Sequence, residues 1–216
     1  MAKRALIEHR PWLLASLIAG IAYYFVWNNP IGGVWLIVLK GAGVGLLAVY
    51  AFRRTQGAEG AILTLVLALS AAADMVLELD FKAGGVLFAM SHILAVYFYG
   101  RHRANPVDQP RFVTGIVLMI LTPLVTWFLT LDWLIVTYSA WLGLMAAAAF
   151  MSRFPASRVG LGATLFIISD WLIFSRMGPY DLAPLPDTFV WPTYYAAQFM
   201  IATGVVQTLR AEGEVT

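Results

Sequence analysis

Eight long apolar runs, joined by short polar connections, dominate this sequence of 216 residues. A run of about 20 apolar residues is long enough to cross about 30 Å of hydrocarbon as a helix. The predicted spans are residues 12–28, 31–52, 61–79, 83–100, 112–130, 132–151, 158–176 and 189–209. Only 12% of the residues are charged, fewer than the surface of a soluble domain of this length needs. We therefore expect an all-α integral membrane protein with eight transmembrane helices, forming a single polytopic domain over residues 1–216.

The basic residues predict how these spans are oriented. Eleven of the 14 lysines and arginines fall on one side of the predicted membrane. They are Lys3, Arg4, Arg10, Arg53, Arg54, Arg101, Arg103, Arg111, Arg153, Arg158 and Arg210. The opposite side receives only Lys82 and Arg176. Because basic loops stay in the cytoplasm, we expect both termini there. The first run resembles a signal peptide, but it lacks a convincing cleavage site and is expected to remain as the first helix.

A few ionisable and polar residues lie inside the predicted spans, where such groups are costly and therefore mark functional sites. They are Lys40, Asp74, Glu78, His92, Asp170, Tyr194, Tyr195 and Gln198. At about 1.5 Å per residue, Asp74 and Asp170 each lie roughly 18–20 Å from the cytoplasmic ends of their helices. Lys40, His92 and Gln198 lie roughly 13–14 Å from the outer ends of theirs, within the same slab of the membrane. Glu78 lies about one helical turn nearer the outer surface than Asp74, where it can reach water.

Structural roles compete with functional ones for each of these residues. A buried aspartate can serve as a hydrogen-bonding strut or pair with Lys40, and His92 and Gln198 can serve in helix packing. Two aspartates sharing one lysine are harder to explain as a scaffold, since the second carboxylate stays unpaired or protonated. The absence of cysteine excludes disulfides and thiolate chemistry. One intramembrane histidine argues against zinc, which needs about three protein ligands. The buried ionisable groups also fit a proton-coupled transporter or channel, and they fit less well a pigment in which Lys40 forms a Schiff base.

Small residues and short matches suggest how the spans pack. The stretches KGAGVG (40–45), SAAAD (70–74) and GLGATLFIISD (160–170) predict close helix contacts. ADMVL at 73 and SDWLI at 169 occupy like positions in spans three and seven. This match indicates a 4+4 pseudo-repeat with a site at the repeat interface.

Several segments resemble the YhhN-like membrane proteins, the lysoplasmalogenase family. The C-terminal pair GATLFIISDWLIF (162–174) and YYAAQFMIATG (194–204) is similar to that family's signature. ADMVLELDFKAGGVLFAMSH (73–92) is similar to its aspartate-containing segment. LKGAGVGLLAV (39–49) and VTYSAWLGLMAAAAF (136–150) are further matches, in the same order along the chain.

The resemblance implies a hydrolase that cleaves the vinyl-ether bond of lysoplasmalogens to a fatty aldehyde and a glycerophospho-headgroup. It implies that Asp74 and Asp170 are catalytic and that Lys40, His92 and Gln198 line the site. We add Tyr194, Tyr195, Ser169 and Glu78 to the expected substrate-binding residues. The expected partners are a lysophospholipid substrate and the bilayer, without nucleic acid, metal or cofactor. The expected location is the plasma membrane of a bacterium or the endoplasmic reticulum of a eukaryote.

The residues found inside the spans suit this chemistry. Vinyl-ether cleavage begins with a proton delivered to the outer alkene carbon, which leaves an oxocarbenium-like cation that water then attacks. A protonated carboxyl group can supply the proton, and an ionised carboxylate can stabilise the cation or activate the water, as in glycoside hydrolysis. A low-dielectric surrounding favours the neutral form of a carboxyl group, and a nearby lysine favours the ionised form.

Overall fold

The computed structural model describes residues 11–28, 32–180 and 182–213. Lys3, Arg4 and Arg10, on which part of the orientation prediction depends, lie outside the described residues, as do residue 31 at the predicted start of the second span and both chain termini. Within the described part of the chain the secondary structure is helical without a β-strand, and one isolated bridge pairs Arg103 with Ser152. The all-α prediction is therefore confirmed.

Each predicted span overlaps one long helix. The helices are α1 (Pro11–Val26), α2 (Val34–Arg54), α3 (Gly57–Leu77), α4 (Phe81–Arg101), α5 (Gln109–Thr130), α6 (Trp133–Met151), α7 (Leu161–Phe174) and α8 (Leu185–Gly213). A single π-helical turn, Ala156–Gly160, leads directly into α7. Helices suit a membrane because they satisfy their backbone hydrogen bonds internally.

Six helical segments in the described part of the chain are long and apolar enough to cross a membrane. They are α2 to α6 and the continuous segment Ala156–Phe174. With 16 residues α1 is shorter, and α8 is diluted by polar residues, among them Tyr194 and Gln198. The chain is thus a multi-pass membrane protein, and crossing by all eight helices remains a prediction.

The helices group into two compact units, residues 1–88 and 89–216, and the division falls within α4. In the first unit α2 packs against both α1 and α3. The Ser16 hydroxyl donates to the Gly43 carbonyl oxygen at 2.5 Å. At Gly41 an added Cβ would lie 2.5 Å from the Met75 side chain, so this glycine allows α2 and α3 to approach closely. The close packing predicted from KGAGVG is confirmed here.

The second unit contains two strongly packed helix pairs, α5 with α6 and α7 with α8. Two residues connect α5 to α6: Leu131, with a left-handed φ of 55°, and Asp132, whose Oδ1 accepts from the Leu134 amide at 2.7 Å. Between α7 and α8, a Cβ at Gly162 would lie 2.9 Å from the Ala197 carbonyl oxygen. The small face predicted at the start of α7 therefore lies against α8.

Backbone hydrogen bonds tie two loops of the second unit together. The Ala104 amide donates to Met151 O at 2.9 Å, and the Arg153 amide donates to His102 O at 2.8 Å. These bonds hold the end of α4 beside the end of α6. Since α4 carries His92 and α6 packs against α7, the loops help to fix the helices from which the candidate site is built.

Candidate functional site

The predicted site residues divide between the two units. The first unit contains Lys40, Asp74 and Glu78. The second unit contains His92, Ser169, Asp170, Tyr194, Tyr195 and Gln198. Their roles as catalytic or substrate-binding residues remain predictions.

Asp170 is the centre of the polar cluster in the second unit. It lies on α7, in a helix whose other residues near it are almost all apolar, and it is only 5% exposed. The Tyr138 hydroxyl, on α6, donates to Asp170 Oδ2 at 2.7 Å. The same hydroxyl oxygen lies 3.1 Å from Nε2 of His92, on α4, which is 2% exposed. Three helices thus contribute one group each to a continuous hydrogen-bonded chain.

Aromatic rings surround this hydrogen-bonded chain of three side chains. The Phe166 ring stands edge to face with His92 at 5.0 Å and with Tyr194 at 5.2 Å between centroids. The Tyr138 ring meets Phe174 edge to face at 5.9 Å. Such rings exclude water and restrict the side chains that they touch. The acid and the imidazole are consequently held in an apolar environment, where electrostatic interactions are strong.

Gln198 and Tyr194 lie together on α8. The Gln198 amide is 2% exposed and its Nε2 lies 3.4 Å from the Tyr194 hydroxyl oxygen, at the long end of hydrogen-bond distances. Tyr194 also contacts the Trp191 ring at 5.7 Å. Tyr194 and His92 therefore contact the same Phe166 ring, and Gln198 is the polar neighbour of Tyr194.

Ser169 and Tyr195 have other partners. The fully buried Ser169 hydroxyl donates to the backbone oxygen of Val190 at 2.9 Å, which links α7 to α8. The Tyr195 ring stacks on Trp191, with centroids 6.0 Å apart and planes inclined by 19°. These contacts are those of packing residues, and substrate binding by either side chain remains a prediction.

The first unit holds a second ionisable cluster. Lys40 Nζ lies 2.5 Å from Glu78 Oε1, and the two side chains are 15% and 34% exposed. Lys40 Nζ also lies 5.9 Å from the centre of the Tyr23 ring, within cation–π range. Asp74, on α3, is 2% exposed and interacts electrostatically with the Tyr23 side chain. The carboxylate that pairs with Lys40 is thus Glu78, which by residue count lies about one helical turn nearer to the outer surface than Asp74.

Two residues of these clusters, Tyr138 and Tyr23, are not among the site residues predicted from the sequence. Tyr138 lies within VTYSAWLGLMAAAAF and Tyr23 lies within the first apolar run. A tyrosine in a membrane helix is more often an interfacial or packing residue, so composition alone does not distinguish it. The sequence feature that could have identified Tyr138 as a site residue is its position within a segment that resembles a family motif.

The described residues contain no group of three or more histidine, aspartate or glutamate side chains placed to hold a metal ion. The chemistry offered by the second unit is that of proton transfer. A buried carboxyl group, a phenol and an imidazole lie within hydrogen-bond distance of one another in series. Such a set can donate, accept and pass on protons.

Fold and site together define a multi-pass helical membrane protein that carries a buried carboxyl–phenol–imidazole cluster. A sequence model of the YhhN family matches residues 35–205. The chain belongs to the YhhN family, which confirms the resemblance found in the sequence. Neither the search of curated proteins nor the search of solved structures gives a match.

Proposed function

We propose that this protein is a lysoplasmalogenase-type hydrolase that cleaves the vinyl-ether bond of lysoplasmalogens. YhhN family membership is consistent with this activity. The observation that carries the proposal is the surrounding of Asp170, a carboxyl group buried among aromatic rings and held by the Tyr138 hydroxyl at 2.7 Å. An apolar surrounding favours a protonated carboxyl group, which is the acid that vinyl-ether cleavage requires.

In the proposed reaction, Asp170 delivers its proton to the outer alkene carbon of the substrate. The electron pair of the double bond forms the new C–H bond, and the ether oxygen shares the resulting positive charge. Water adds to the cation and loses one proton, which gives a hemiacetal. The hemiacetal then collapses to a fatty aldehyde and the glycerophospho-alcohol.

Asp74 is proposed as the second catalytic carboxylate. Its near-complete burial in a membrane helix supports this, because an acidic residue in that position is costly unless it has a function. An ionised carboxylate stabilises the cation or orients the water that attacks it. We further propose that the Lys40–Glu78 pair serves in substrate binding, with Lys40 available to a phosphate headgroup.

We also propose that all eight helices cross the membrane and that both chain termini face the cytoplasm. The support is the uneven distribution of arginine and lysine over the connections. On this proposal the protein resides in the plasma membrane of a bacterium or in the endoplasmic reticulum of a eukaryote.

Purified protein supplied with lysoplasmalogen tests the activity directly, with the released aldehyde as readout. We expect aldehyde from the vinyl ether, none from the saturated-ether or ester analogues, and slower turnover in heavy water. The analogues are matched controls because they lack the alkene carbon that Asp170 protonates. Efficient ester hydrolysis would contradict the proposal. Absence of aldehyde together with proton flux in proteoliposomes would favour the proton-coupled transporter instead.

A further inference from the structure

The hydrogen-bonded chain that connects His92 to Asp170 passes through one hydroxyl group, that of Tyr138. Tyr138 O lies 3.1 Å from His92 Nε2 and 2.7 Å from Asp170 Oδ2, and the groups come from α4, α6 and α7. Both distances are within hydrogen-bond range. A phenol has one hydrogen and can donate to only one of these neighbours at a time, while its oxygen accepts from the other.

Either ring nitrogen of a neutral His92 can carry the hydrogen, so several proton arrangements fit these three groups, and two of them differ by one transferred proton. In one, protonated Asp170 donates to Tyr138 and Tyr138 donates to a neutral His92. In the other, protonated His92 donates to Tyr138 and Tyr138 donates to an ionised Asp170. The first becomes the second when two protons each shift across one hydrogen bond, without movement of a heavy atom. The net result is transfer of one proton between Asp170 and His92.

Burial makes this connection relevant to turnover. Asp170 is 5% exposed and His92 is 2% exposed, so bulk water has little access to either group. In the proposed reaction Asp170 loses its proton to carbon, and the attacking water releases one proton. The catalytic cycle closes only when one proton reaches Asp170 again.

We propose that His92 and Tyr138 are positioning residues that return this proton to Asp170 between turnovers, an assignment that rests on the proposed hydrolase function. His92, with its hydrogen on Nε2, takes up at Nδ1 the proton that water releases. His92 Nε2 then passes a proton to Tyr138 O, and Tyr138 passes its own hydroxyl proton to Asp170 Oδ2. Water moves the remaining imidazole proton from Nδ1 to Nε2, which resets His92 for the next turnover. Atoms and charges balance over the cycle without a further reactant.

The Tyr138→Phe variant separates this relay from a purely structural role. It removes the hydroxyl and keeps the ring that packs edge to face on Phe174 at 5.9 Å. With enzyme in excess, the first turnover should keep most of the wild-type rate, because the proposed cycle begins with a protonated Asp170. With substrate in excess, kcat should fall by at least about tenfold, since loss of proton transfer by a positioned group costs roughly 10²–10⁴-fold when nothing replaces it. KM should change little.

Two further variants complete the experiment. His92→Gln, which cannot take up a proton, should give the same burst followed by slow turnover, and combining it with Tyr138→Phe should add little, since the two residues act as one unit. Tyr99→Phe is the matched control because Tyr99 is another buried tyrosine of the second unit and is not part of the hydrogen-bonded chain from His92 to Asp170. It should turn over like the wild type.

Infrared spectroscopy gives a readout independent of activity. The carbonyl stretch of protonated Asp170, identified by its loss in Asp170→Asn, should shift in Tyr138→Phe and also in His92→Gln. An unshifted band in both variants, or an equal fall of first-turnover and steady-state rates, would overturn the relay while leaving the hydrolase proposal intact. Absence of vinyl-ether cleavage by the wild-type protein would instead overturn the hydrolase proposal, and the relay with it.

Discussion

Replacing Asp170 by asparagine should abolish activity while leaving the fold intact. The Tyr138 hydroxyl, 2.7 Å from Asp170 Oδ2, can donate equally to an amide oxygen. Since one neutral hydrogen bond replaces another, the stability change should stay within about 1 kcal/mol. The amide cannot deliver a proton to carbon. Loss of a positioned acid costs at least about 100-fold, or about 2.7 kcal/mol in the activation free energy.

Two measurements on the same detergent-solubilised protein check this separation. Aldehyde release gives the activity, and the fluorescence of the eight tryptophans reports thermal unfolding. The matched control is Asp187→Asn, whose carboxylate pairs with Arg176 at 2.5 Å and is 58% exposed. Exposed ion pairs contribute little, so this variant should retain both activity and stability. Asp74→Asn should lose activity to the same extent as Asp170→Asn.

Two outcomes would contradict the assignment of Asp170 as the acid. Full activity of Asp170→Asn would show that the carboxyl group is not the acid, and Ser169 or Ser91, the buried serine next to His92, would then need testing as a nucleophile. An Asp170→Asn protein that no longer folds would assign the residue a scaffold role.

Lys40, Gly178 and the orientation of the helices can each be tested by substitution. Lys40→Met should lower activity by roughly tenfold while the protein remains folded, because the pair it breaks is partly exposed; wild-type kinetics would return Lys40 to a structural role. Gly178→Ala should cost about 1–3 kcal/mol, since its Cβ would lie 1.8 Å from a backbone oxygen of α5, whereas Gly100→Ala, with open space around it, should cost nothing; thermal unfolding compares them. In intact cells, an impermeant thiol reagent should label Lys82→Cys and spare Ala58→Cys. The reverse labelling pattern would invert the proposed topology. The sequence contains no cysteine, so the introduced thiol is the only one that the reagent can label.

The sequence predicts the helices well because hydrocarbon thickness and backbone hydrogen bonding leave few choices for a long apolar run. The exceptions are informative. Helix α8 begins at Leu185 and continues through Pro192, although its polar residues weaken the apolar signal. Gln198 and Tyr194 are buried within the second unit, so these polar residues lie on the inward-facing side of α8. Hydropathy alone cannot distinguish such a helix face from a polar loop.

Side-chain partners cannot be predicted from the positions of residues along their helices. Lys40 lies level with both aspartates by residue count, yet its carboxylate partner is Glu78, about one turn further outward. A lysine side chain is long enough to reach along the helix axis, and the direction that it takes depends on the rotation of α2 against α3. Tyr138 was missed for a related reason, since only the packing of α6 beside α7 brings its hydroxyl to Asp170.

The two-residue connection between α5 and α6 has a consequence for how the protein is made. Leu131 and Asp132 reverse the chain within one tight turn, closed by the bond from the Leu134 amide to the Asp132 carboxylate. With so short a connection, α6 lies beside α5 as soon as both helices have been synthesised. We expect the two helices to leave the insertion machinery as one hairpin, so a lengthened turn should slow membrane integration before it affects the mature protein.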